Sequence, residues 1–216
     1  MPRKLTRTEG IQLSLVVLAG WSASIILQRT APIGLDMSSN ATVQAVLNDT
    51  VSPSQEARST TLTLVVFADY QCPACKFANP AMERAVAADG HVRVVYKDWP
   101  IFGALSERAA RVAIASAKQN IYPAVHRILM GERRRLDEAV LRDSIERAGG
   151  DWTLIQRDLK EHAKEIDRQL ALNRSEAFKL GLAGTPAFLA GPILVSGAID
   201  EDEFAKAFAL GRKTQG

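Results

Sequence analysis

From Leu62 to Ala68 the chain reads Leu-Thr-Leu-Val-Val-Phe-Ala. An apolar run this continuous is expected of a central strand covered on both faces. His91–Lys97, β-branched and aromatic, predicts a second strand. Between them a helical pattern starts near Cys72 and runs through Lys76–Ala88, and Asp89-Gly90 ends it. Strand, helix and strand in this order imply a parallel pair joined by a right-handed crossover. From Ser106 to about Leu180 the apolar spacing changes to threes and fours. Ala109, Val112, Ala113 and Ala117 carry it first, then Val125, Ile128 and Leu129, then Leu136, Val140, Leu141 and Ile145. A long helical stretch follows from Trp152 to Leu180, and Asp151, just after Gly149-Gly150, is placed to cap its first turn. Pro186–Leu189 and Ile193–Ser196 predict a hairpin about Ala190-Gly191-Pro192. Glu201–Leu210 predicts a closing helix whose first-turn acids suit the helix dipole. The helical block lies between two pieces of sheet, so it reads as an all-helical insertion in an α/β domain.

The N-terminal pattern is different. Arg3, Lys4 and Arg7 precede Ile11–Leu27, a stretch of 17 residues without charge. A basic head and an apolar stretch form the layout of an export signal. The length is near the lower end of the roughly 17–25 residues of a spanning helix, and the basic head would stay on the cytoplasmic side. Residues 11–27 are therefore expected to be a signal anchor or a cleaved signal peptide, with Ser39-Asn40-Ala41 as a later cleavage candidate. Residues 28–60, rich in Ser, Thr, Asn, Gln and Pro, read as a tether carrying a short helix at Val43–Leu47.

Composition adds exclusions. With 27 basic and 24 acidic residues, the net charge of +3 is too balanced to argue for nucleic acid. The 216 residues suffice for one well-buried domain with a modest insertion.

The candidate chemistry is concentrated in Cys72-Pro73-Ala74-Cys75, which holds both cysteines of the chain. A cysteine pair two residues apart, after a strand and at a helix start, reads as a redox dithiol. The thiolate is the attacking species in disulfide exchange. At Cys72, the unpaired N–H groups and the dipole of the helix favour a negative sulfur. Pro73 suits the first helical position. Cys75, one turn on, can attack a mixed disulfide at Cys72. A purely structural disulfide would close a very short loop and stabilise weakly. Zinc would need further ligands, and His91, His126 and His162 show no paired spacing. His126 falls in a helical pattern, as a core or helix-surface side chain rather than a base.

Several segments together resemble the DsbA-like branch of the thioredoxin superfamily. They are Val46-Leu47-Asn48-Asp49 with Ser52-Pro53, Phe67–Lys76 around the cysteines, Tyr96-Lys97-Asp98-Trp99-Pro100-Ile101-Phe102-Gly103, Leu182–Phe188 with Gly184-Thr185-Pro186, and Gly197-Ala198 before the acidic helix. The resemblance runs from about Val46 to Leu210. It implies a thioredoxin fold with an inserted all-helical domain, the core at 61–103 and 181–216 and the insertion at 104–180, behind a basic cytoplasmic N-terminus at 1–10. It implies Cys72 as nucleophile and Cys75 as resolving cysteine. Pro73, Ala74 and Lys97 would support them, and Thr185-Pro186 would pack beside them with a cis bond. No bound cofactor is implied, since the disulfide is the redox group.

The implied activity is thiol–disulfide exchange with reduced or unfolded envelope proteins in the periplasm, as a disulfide donor recycled by a membrane redox partner. An isomerase or reductase, or a redox-inert chaperone, are the alternatives. Trp99, Ile101 and Phe102 would either hold clients or pack into the core. Two departures stand out. Many members carry a buried acid six residues before the first cysteine, where this chain has Val66. Lys97, the usual partner of that acid, is then expected alone or reaching for solvent. Strongly oxidising members often have histidine where Ala74 stands, which implies a less extreme oxidant here.

Overall fold

The computed structural model describes Val16, Val17, Gly20, Trp21 and residues 33–215. The chain divides into two units, Met1–Ile33 and Gly34–Gly216. In the first, Val16, Val17, Gly20 and Trp21 are helical. The rest of the expected anchor at 11–27 lies outside the described residues. Among the described residues no helix is long and apolar enough to cross a membrane.

The second unit is built on a six-stranded sheet. Its strands are β1 (Leu35–Asp36), β2 (Ser54–Gln55), β3 (Leu62–Ala68), β4 (Val92–Asp98), β5 (Ala187–Ala190) and β6 (Ile193–Ser196). The order is β1-β6-β5-β3-β4-β2. β3 and β4 pair in parallel, Val66 opposite Tyr96 and Phe67 opposite Lys97, while β5 runs antiparallel to β3. The crossover between the parallel strands is α2 (Pro73–Asp89), and Gly90 ends it in the left-handed conformation at φ 74°. α2 continues through Pro80. All of β3 except Thr63 is buried, as its unbroken apolar sequence requires.

Side chains alternate across the sheet. On one face Val65, Phe67, Val95, Ala187, Leu189 and Leu194 form a core with α1 (Ala41–Leu47), which contributes Val43, Val46 and Leu47. The short edge strands and α1 occupy the stretch expected as a tether. Fully buried Val43 and Val46 explain why that polar segment is built into the fold. On the other face Phe188 meets Phe204 of α8 (Glu201–Gln215) edge-on, with ring centres 4.8 Å apart. α8 lies against β5 at Gly211, where a Cβ would overlap the Ala190 carbonyl oxygen.

The insertion is helical, as expected: α3 (Ala104–Ser116), a 3₁₀ turn, α4 (Tyr122–Gly131), α5 (Glu138–Arg147), α6 (Trp152–Glu161) and α7 (Ala163–Lys179). Asp151 caps α6, accepting from Thr153 N at 2.7 Å and Leu154 N at 3.2 Å. The long stretch after it is two helices, broken at His162, whose backbone leaves the helical region at φ −105° and ψ 18°.

Candidate active site

β3 ends at Ala68, and the turn Asp69–Gln71 delivers Cys72 to the N-terminus of α2. Cys72 is the N-cap: its sulfur accepts from the Cys75 backbone N–H at 3.4 Å, and Pro73 occupies the first helical position without losing a bond. Cys72 and Cys75 are both free thiols and both buried. Burial, reinforced by the neighbouring Cys72 sulfur, pushes the Cys75 thiol up to about 12 despite opposing hydrogen bonds, so Cys75 holds its proton at neutral pH. The Thr185–Pro186 peptide bond is cis. The Cys72 thiol donates to the Thr185 carbonyl at 3.3 Å, which brings the two sequence-distant motifs together.

Asp69, to which the sequence reading gave no role, fixes this turn. Its Oδ2 accepts from the backbone N–H groups of Ile101 (2.7 Å) and Phe102 (3.0 Å). Its Oδ1 accepts from Gln71 N (2.7 Å) and Ser106 Oγ (2.7 Å). One buried carboxylate thus joins the cysteine turn to the loop after β4 and to the start of α3. That loop divides the three apolar residues considered above. Trp99 is in the core, edge-on to Phe178, while Ile101 and Phe102 stand 42% and 51% exposed. Phe77, one turn beyond Cys72, is 77% exposed.

Lys97 corrects the sequence reading. It is neither alone nor at the surface: it is fully buried, ion-paired to Asp49 and, at 2.8 Å, to Glu176 Oε2. By strand alternation it shares the Phe67 and Val95 face, opposite to Val66. Its charge is neutralised by two acids from α7 and the segment after α1, on the far side of the sheet from Cys75, and so it does not support the cysteines.

Behind Cys75, Val66, Asn79, His126 and Pro186 line a cavity of about 10 Å³. His126 is a core histidine, as expected. Burial, helped by the charge of Arg127, lowers it to about 3, so it is neutral. Its Nδ1 lies 3.1 Å from the Tyr70 hydroxyl and its Nε2 lies 3.2 Å from Asn79 Oδ1. Tyr70 in turn lies 3.3 Å from the Tyr122 hydroxyl, which donates to Asp98 Oδ2 at 2.9 Å. Asp98 is wholly enclosed, and burial raises it to about 7 against the hydroxyls that lower it. The sequence hid this network, because its members lie on four separate segments, the cysteine turn, α2, β4 and α4, and no motif joins them. Elsewhere, Asp158, Glu161 and His162 hold ligand atoms within 4.8 Å of one another, with Arg157 already on Asp158 at 2.9 Å.

The family described as DSBA-like thioredoxin domain matches residues 63–209. The structure is similar to that of a thioredoxin-like oxidoreductase from Silicibacter pomeroyi DSS-3. The TM-score is 0.74 at 35% identity, over 79% of this chain and 97% of that one. It is also similar to a periplasmic thioredoxin-like protein from Salmonella enterica serovar Typhimurium. There the TM-score is 0.68 at 29% identity, over 80% of this chain and 97% of that one. Among curated proteins, the Na(+)/H(+) antiporter NhaA 3 of Salinispora tropica is 27% identical over 133 residues, 61% of this chain. The chain spans 20% of the length of that relative.

Proposed function

Because the chain belongs to the DSBA-like thioredoxin domain family and is a thiol–disulfide oxidoreductase of thioredoxin fold with a helical insertion, we propose that it donates the Cys72–Cys75 disulfide to cysteines of proteins in the bacterial envelope. Cys72 is the sulfur attacked by the client thiolate and Cys75 is the leaving and resolving sulfur. The observation that carries this is the asymmetry of the pair. Cys72 caps α2 and touches the Thr185 carbonyl. Cys75 lies inward, where burial holds it protonated. A client approaching along Thr185-Pro186 would pair its backbone there as an added strand. Exposed Phe77, Ile101 and Phe102 offer it apolar contact. The periplasmic relative supports an envelope location. The basic head and residues 11–27 support delivery to the membrane, where a redox partner would reoxidise the dithiol.

The reduction potential of the pair tests the direction. The full chain is equilibrated against reduced and oxidised glutathione, and the dithiol fraction is counted by alkylation. A potential above the glutathione couple is expected of a donor. A value at or below that of thioredoxin, about −270 mV, would make the protein a reductase or isomerase instead.

A further inference from the structure

Val66, which carries no proton to give, lines the cavity behind Cys75, yet Cys75 must gain or lose a proton each time its disulfide opens or closes. Cys75, Asn79 and His126 share one cavity, and about 10 Å³ is near the least room one water needs. From His126 a continuous row of hydrogen bonds leads away through Tyr70 and Tyr122 to Asp98, with steps of 3.1, 3.3 and 2.9 Å. All four side chains are buried. Asn79 sets the direction of the row. Its Nδ2 donates to Glu83 Oε1 at 3.2 Å, which turns Oδ1 toward His126 to accept the Nε2 proton. Nδ1 is then left to accept from the Tyr70 hydroxyl.

We propose that Asp98, Tyr122, Tyr70 and His126 form a proton line serving Cys75 during disulfide exchange, with Asp98 as the terminal store. This rests on the reading of Cys72 as the attacked sulfur. The client thiolate attacks Cys72 Sγ and forms the mixed disulfide. The Cys72–Cys75 bond breaks, and its electron pair leaves on Cys75. His126 passes its Nε2 proton through a water in the cavity to the Cys75 sulfur. His126 Nδ1 takes the Tyr70 proton and Tyr70 takes that of Tyr122; Tyr122 takes the carboxylic proton that protonated Asp98 donates to it, and then donates back to the ionised carboxylate. Each relay group ends neutral, His126 as the other tautomer once the Asn79 amide turns to donate to Nε2, and the negative charge has moved from Cys75 to Asp98. Closing the disulfide runs the same steps backward.

The surroundings suit the store to its task. Burial and the nearby Asp69 carboxylate favour the protonated form of Asp98, while the Tyr122 and Tyr70 hydroxyls oppose it, for a balance at about 7. Burial sets Cys75 at about 12, so the transfer from Asp98 runs downhill. From α7, Asn173 Nδ2 binds the Asp98 backbone carbonyl at 2.9 Å and adds no charge. Lys97, the preceding residue, faces the opposite side of the sheet and is neutralised there by Asp49 and Glu176.

The test follows reduction of the oxidised full chain by a cysteine peptide in stopped flow, on both sides of neutral pH. Rates are corrected for the thiolate fraction of the peptide. In the native protein the corrected rate is expected to fall as Asp98 loses its proton around pH 7. Tyr122→Phe keeps the ring and cuts the line. It is expected to slow the reaction at acid pH by roughly 10-fold or more and to flatten the profile. Asp98→Asn is the second variant and should flatten the profile likewise. An unchanged rate and profile in Tyr122→Phe overturns the proposal. Cys75→Ser, treated with the disulfide form of the peptide, should trap a mixed disulfide on Cys72. If it traps one while Tyr122→Phe behaves as native, the proton line alone falls. If it traps none, the assignment of Cys72 falls, and the proton line with it.

Discussion

Replacing Lys97 by methionine keeps an unbranched side chain of similar length and deletes one charge at a site with 0% exposure. Two carboxylates remain there, with the Asp49 side chain 8% and the Glu176 side chain 10% exposed. Burial alone would raise Asp49. The Lys97 ammonium, with donors from Ser52 and Val51, outweighs burial and lowers Asp49 from 3.8 to about 2. At ~1.36 kcal/mol per pH unit that difference is about 2.5 kcal/mol. Because the folded value lies below the unfolded one, this stability is fully present above about pH 4 and is lost as pH falls through about 2. Removing one partner of a buried ion pair costs about 3–5 kcal/mol in general. The Asp49 shift, part of which Ser52 and Val51 keep, bounds that contribution at about 2.5 kcal/mol, and the stranded charge brings the loss for Lys97→Met to about 3 kcal/mol at neutral pH, a large part of the roughly 5–15 kcal/mol that holds an ordinary domain together. Guanidinium unfolding followed by circular dichroism, at neutral pH and at about pH 4, measures it. With the cation gone, burial raises Asp49 toward taking a proton against only the Ser52 and Val51 donors, so the deficit should shrink at the lower pH. A loss below about 1 kcal/mol at neutral pH, or an equal deficit at both, would refute the reasoning.

Three other changes have outcomes set by the structure. Asp69→Ala strands the amide donors of Gln71, Ile101 and Phe102 and the Ser106 hydroxyl. At ~1–3 kcal/mol for a stranded buried donor, the variant should lose on the order of 3 kcal/mol. Amide exchange at Ile101 and Phe102 should quicken, and native exchange rates there would contradict the anchoring role. Gly211→Ala drives a methyl into the Ala190 carbonyl and should lower stability by about 1–3 kcal/mol, visible as a lower unfolding midpoint. Asp151→Ala leaves the first-turn N–H groups of α6 without their carboxylate and should cost about 1 kcal/mol, read from the same curves.

The elements that local pattern governs were legible in the chain. Leu62–Ala68 is a covered strand because nearly every residue in it is apolar, and its bounds in the structure are those read from the sequence. The Cys72–Cys75 pair, its place at a helix start and the Pro73 beside it follow from spacing within a few residues. The hairpin strands and Asp151 as a cap are local in the same sense. The resemblance to a known family supplied what spacing could not, the pairing of the cysteine turn with Thr185-Pro186.

What lay beyond the sequence depends on side chains that meet only once the sheet and insertion are assembled. Lys97 reads as an unpartnered cation until strand alternation turns it away from Val66 and toward Asp49 and Glu176, remote from it along the chain. Residues 28–60 read as a polar tether, yet three apolar side chains of α1 dock the described part of it, because one face of β3 offers Val65 and Phe67. Nothing in the chain's pattern links Asp98, Tyr70, Tyr122 and His126 to one another. They come from a turn, a strand and a helix far apart in the chain, and folding removes water around all four. Sequence sets the period and the local chemistry. Enclosure, which decides whether a carboxyl keeps its proton, belongs to the tertiary structure, since desolvation depends on every neighbour at once.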